Sequence, residues 1–110
     1  MIEGRTIRGL VVDAESFRRG LGSLSTELQK ECLDTLSSLI FKQVETLPQK
    51  LHFHQLKDKE ATSRRDSKKK VPIWSLHLTA NDAYKGSFTF EDCVMYMRVC
   101  DTHKVVDKTP

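Results

Sequence analysis

The sequence predicts a two-layer α+β domain in which a helical hairpin packs on one face of a small, mainly antiparallel sheet, in the order β-α-α-β-β-β. Three observations predict it. Apolar residues recur at helical spacing from Phe17 to Val44, and three alternating runs follow one another between Ile73 and His103. Both halves have one greasy face, and each can be buried only against the other.

The first element is a β-like run from Thr6 to Val12, with Ile7, Leu10, Val11 and Val12, closing at Asp13, a good helix N-cap. Phe17, Leu21 and Leu24 then share a helical face, weakened by Gly20 and Gly22. Ser25 is the second expected N-cap, with Glu27 in the first turn. Behind it Leu28, Cys32, Leu36, Leu39 and Ile40 form an apolar stripe running on to Val44, which Leu47-Pro48 ends.

In the first strand Trp74, Leu76 and Leu78 alternate with Ser75, His77 and Thr79. In the second Tyr84, Phe88 and Phe90 alternate with Lys85, Ser87 and Thr89. In the third Met95, Met97 and Val99 alternate with Tyr96, Arg98 and Cys100, and Asp92-Cys93 stands at hairpin distance between the last two. Successive strand residues point to opposite faces. One face is therefore expected in the core and the other open to solvent, carrying His77, Lys85, Tyr96 and Arg98.

At 110 residues the chain is long enough for one domain with one core, here taken as residues 1–110. Its 38% apolar and 30% charged residues exclude wholesale disorder. The net charge of +3 permits nucleic-acid binding without demanding it. Residues 57–70 concentrate that charge: Lys57, Lys59, Arg64, Arg65, Lys68, Lys69 and Lys70 against Asp58, Glu60 and Asp66, a surplus of four. With only Ala61 apolar, the segment is expected to be a mobile basic loop that contacts an RNA backbone or is simply solvated. Three cysteines in no framework spacing, with no signal peptide or membrane span, predict a reduced, cytoplasmic protein. Ile2-Glu3-Gly4-Arg5 spells a protease recognition sequence and is set aside as a cloning scar.

An imidazole, two cations and a phenol on one face suit a polyanion and phosphodiester chemistry. Histidine titrates near neutrality and can give or take a proton, Arg can grip phosphate bidentately, and Lys acts as a point charge. His52-x-His54 with Cys93, Cys100 and His103 could supply zinc ligands, but the spacing fits no zinc pattern. A Ser75/His77/Asp82 triad lacks any nucleophile elbow. No metal or other cofactor is expected.

The helical segment FRRGLGSLSTELQKECLDTLSSLI with the following LPQKLHFHQLKD resembles the helical hairpin and next stretch of RelE/ParE-superfamily toxins. The strand series IWSLHLTANDAYKGSFTFEDCVMYMRVCDTH resembles their sheet. The likeness spans about residues 6–107 and is greatest to the HigB and YafQ branch of histidine-using messenger RNA interferases. It implies a RelE-like fold and a translation-inhibiting endoribonuclease that acts on mRNA at the ribosome and is inhibited by a cognate antitoxin. Carried over by position, it implies catalytic roles for His54, His77, Asp82 and His103. Lys85 stands where many members have arginine, and Gln55 replaces the usual proline. Arg98 joins Lys85 as a phosphate-stabilising cation. Tyr84, Tyr96 and Lys104 are grouped with the basic segment as RNA-binding. Two alternatives stay open: a non-catalytic poison of the same fold acting on a protein such as DNA gyrase, and a plain RNA-binding module.

Overall fold

A computed structural model describes residues 6–43, 51, 53–79 and 83–110, with the side chains of His103, Lys104 and Asp107 outside that description. The elements are β1 (Gly9–Val11), α1 (Glu15–Gly22), α2 (Thr26–Ser37), β2 (His54–Thr62), β3 (Lys70–His77), β4 (Tyr84–Glu91), β5 (Val94–Thr102) and α3 (His103–Lys108). The α+β class and the helical hairpin are as expected. The order β-α-α-β-β-β-β-α differs from the expected pattern by one strand and one helix.

The five strands form one mixed sheet in the order β1-β5-β4-β3-β2, with β1 parallel to β5 and every other pair antiparallel. Trp74 stands opposite Phe88 and Leu76 opposite Gly86, while Gly86, Phe88 and Phe90 oppose Cys100, Met97 and Met95. These residues make the first face. Phe17, Cys32, Leu36 and Leu39 from the helical hairpin join Leu76, Leu78, Phe88, Met95, Met97 and Cys100 in one buried cluster. Each large side chain buried there contributes about 1.5–3 kcal/mol. Phe53 extends the cluster, its ring centroid 5.4 Å from Trp74 and 5.3 Å from Phe88.

Helix α2 begins as its sequence predicts, with the Ser25 hydroxyl accepting from the Leu28 amide at 3.2 Å. It stops at Ser37, well short of Val44. Phe41 takes a left-handed conformation (φ 68°), and the chain turns to meet the N-terminal segment: the Phe41 amide donates to the Ile7 carbonyl and the Ile7 amide to the Lys42 carbonyl. Helix α1 starts one residue later than its expected cap, from Ala14 rather than Asp13.

The expected mobile loop at 57–70 is largely strand. Lys57 and Lys59 lie in β2 and Lys70 opens β3, so only 63–69 connect the two. Pairing breaks between Gln55 and Glu60, where Asp58 adopts a positive φ of 59°. Such a bulged, charged strand at a sheet edge is held by backbone hydrogen bonds with one neighbour, without an apolar alternation. The connection itself is tied down. The Ser63 hydroxyl donates to Glu91 Oε1, accepts from the Arg65 and Asp66 amides at 3.0 and 3.1 Å, and Glu91 Oε2 accepts from the Arg64 amide at 2.9 Å.

A second correction concerns β5. A bulge between its pairs Ser87–Val99 and Phe88–Met97 makes Arg98 the extra residue. The alternation reverses there, so Cys100 joins Met97 on the core face and Val99 moves to the other.

Candidate nucleic-acid interface on the second face of the sheet

The sheet's second face carries, row by row, the residues that the alternation singled out. His54 on β2 stands opposite Ser75 on β3, Ser75 opposite Ser87 on β4, and Ser87 opposite Val99 on β5. One row along, His77 faces Lys85 and Lys85 faces Asp101. In the other direction Thr89 faces Tyr96, which pairs with Val11 of β1. The register thus joins His77, Lys85 and, at the bulge, Arg98 on neighbouring strands.

This face is covered, not open, which corrects the reading from alternation. His77 is 8% exposed and Lys85 4%, while Ser75, Ser87 and Thr89 are at 1% or less. Helix α3 packs against β4 and β5, and its Val106 is fully buried. Alternation reports which residues share a face; it carries no information on what a later element lays over that face. His54, at the edge strand, remains exposed.

The tip of the β2–β3 connection closes the opposite end. Arg64 Nη2 reaches both carboxylate oxygens of Asp13 at 3.1 and 3.2 Å, and its guanidinium lies 5.2 Å over the Tyr96 ring. Arg65 pairs with Asp92 at 3.0 Å. These two cations are committed to the domain's own carboxylates and differ from the free RNA contacts expected of them. Lys57, Lys68 and Lys69 are exposed, Lys59 is half-buried, and Lys70 Nζ donates to the Thr62 hydroxyl at 3.2 Å.

Arg98 is half-buried. Burial, and after it the nearby Arg64 charge, pull its guanidinium below the ordinary arginine value. Its backbone carbonyl accepts from the Ser16 hydroxyl of α1. Tyr84 lies opposite Thr102 on the first-face parity, away from Tyr96. Asp82 lies outside the described residues, as does His52. His103 is the first residue of α3 and Lys104 the second, and their side chains also lie outside the description. Cys32, Cys93 and Cys100 are free thiols. Among the described residues no helix is long and apolar enough to cross a membrane.

Several residues of this face escaped the sequence reading. Asp101 sits beside Lys85, and counting back from the Asp92-Cys93 turn with the Arg98 bulge included would have found it. Asp13 and Glu91, which hold the basic connection, left no local signal because their partners are 51 and 27 residues away.

Comparison with known proteins finds no family model, no curated protein and no solved structure that matches this chain.

Proposed function

We propose that this chain is the toxin of a toxin–antitoxin pair, an endoribonuclease that cleaves messenger RNA on the ribosome by attack of the ribose 2′-hydroxyl on the adjacent phosphorus. The observation that carries the reading is the His77–Lys85 pair, directly opposite on β3 and β4 on the face turned away from the helical hairpin. His77 takes the proton of the 2′-hydroxyl, and Lys85 with Arg98 offsets the charge that builds on the phosphorane oxygens. A second histidine, His54 at the exposed edge or His103 at the start of α3, returns a proton to the leaving 5′-oxygen. The nucleophile belongs to the substrate, so no metal is required to generate it. The exposed Lys57, Lys68 and Lys69 supply sequence-independent attraction for the RNA backbone. A cognate antitoxin is the partner this reading implies.

Programmed ribosomes carrying a labelled message test it. His77→Gln should lower cleavage about 100-fold or more, the usual range for losing a general base, while circular dichroism stays native. Full cleavage by a folded His77→Gln protein contradicts the assignment.

The burial of His77 and Lys85 favours a second reading, a poison of the same fold that binds a protein target without chemistry. Under it, wild type and His77→Gln inhibit DNA gyrase supercoiling alike and neither cleaves RNA.

A further inference from the structure

Among the described residues, four buried side-chain polar atoms have no hydrogen-bond partner: Ser75 Oγ, Ser87 Oγ, Thr89 Oγ1 and Arg98 Nε. All four fall on one patch. Ser75 and Ser87 face each other across β3 and β4; Ser87 and Thr89 are alternate residues of β4, about 7 Å apart along the strand. Arg98 is the bulged residue of β5 between the partners of those two, Val99 and Tyr96. Native proteins leave few buried polar atoms unpaired, and scattered ones are commonly explained singly. Four placed on neighbouring strands by register, three hydroxyls and one guanidinium, form a single set of donors.

A second cation stands beside them. Arg64 stacks on Tyr96, the cross-strand partner of Thr89, and its charge is felt at Arg98. Arg64 gives one nitrogen, Nη2, to Asp13; its guanidinium and that of Arg98, beside three unpaired hydroxyls, are complementary to one chemical class, a tetrahedral oxyanion. Such a group accepts from hydroxyl and N–H donors and adds a negative charge beside Arg98, whose guanidinium lies near Arg64. Arg98, half-buried, connects the patch with solvent.

We propose that Ser75, Ser87, Thr89 and Arg98, with Arg64 as the second cation, form a binding site for a phosphate-class oxyanion. The site is two residue rows or fewer from His77 and Lys85, and it goes beyond the cleavage reading because it requires no chemistry of the bound group. Its source is either free phosphate or a phosphodiester of nucleic acid.

The test is titration of the full chain with inorganic phosphate at constant ionic strength, read by calorimetry and by thermal unfolding, with chloride as the control. A ligand that binds only the native state raises the unfolding temperature as its concentration passes the dissociation constant. Wild type should bind one phosphate and be stabilised beyond the chloride control. Arg98→Gln should weaken binding at least tenfold, and the nearly isosteric Thr89→Val several-fold. Arg18→Gln, an exposed change on α1, should leave binding intact. If Arg98→Gln does not fold, Thr89→Val decides. No phosphate-specific response in wild type, or an equal response in Thr89→Val, overturns the site. A dinucleotide phosphodiester that competes with phosphate identifies nucleic acid as the source, and phosphate binding without competition identifies the free ion; both outcomes support the site. Phosphate binding without RNA cleavage keeps this site and removes the catalytic reading, while cleavage without phosphate binding does the reverse.

Discussion

Gly20 of α1 rides on the backbone carbonyl of Cys100 in β5, so closely that a Cβ on Gly20 would stand 1.9 Å from that oxygen. The neighbour is backbone and cannot swing aside. Gly20→Ala should therefore cost about 3 kcal/mol or more by forcing helix and strand apart. Gly22, at the end of the same helix, would meet nothing within 4 Å, so Gly22→Ala should gain about 0.5–1 kcal/mol from helix propensity alone. Urea midpoints of the two variants should move in opposite directions from wild type.

The β4–β5 turn holds a second adjustable position. Asp92 and Cys93 both have positive φ, 53° and 66°, between the paired Glu91 and Val94, as a tight type I′ connection requires. Asp suits the first position, but Cys at the second carries the Cβ cost of the left-handed region. Cys93→Gly should stabilise the domain by about 0.5–1 kcal/mol. A lower thermal midpoint in this variant would show that the Cys93 side chain contributes packing of its own.

Stability should fall at alkaline pH. Cys100 and Cys32 meet in the core; their contact, with burial, pushes the Cys100 thiol well above its ordinary range and draws the Cys32 thiol below its own, so at alkaline pH the native pair keeps the Cys100 proton. Above about pH 9 the unfolded chain releases this proton while the native chain keeps it, so the native state binds more protons and unfolding becomes easier as pH rises. The contribution is fully present below the unfolded value. Comparing unfolding free energies at pH 7 and pH 10 for wild type and Cys100→Ala checks this. The alkaline loss should be smaller in the variant, even though the variant starts less stable.

The sequence made the helical hairpin legible through the Phe17 and Cys32–Leu36 stripes and the Ser25 cap, and β3 and β4 through strict alternation. Four features were not legible, each for a physical reason. Edge strand β2 uses backbone pairing and charged side chains, so no apolar period marks it. The Arg98 bulge inserts one residue and exchanges the faces of Val99 and Cys100, a shift that no count along β5 alone reveals. Helix α2 ends because Phe41 turns left-handed to meet Ile7, a partner 34 residues earlier in the chain. Finally, α3, which packs against β4 and β5, is a six-residue helix too short to show a period. The candidate site was legible as a list of side chains on one face, and its burial was not.

The role proposed for the face carrying His77, Lys85 and Arg98 is cleavage of RNA through the substrate's own 2′-hydroxyl. The most direct measurement replaces that one hydroxyl with hydrogen at the cleaved nucleotide of a ribosome-bound message. The ribo substrate should be cut to a 2′,3′-cyclic phosphate, and the 2′-deoxy substrate should be bound but left whole. Cleavage of the deoxy substrate, or an intact ribo substrate in the presence of programmed ribosomes and folded protein, would contradict it.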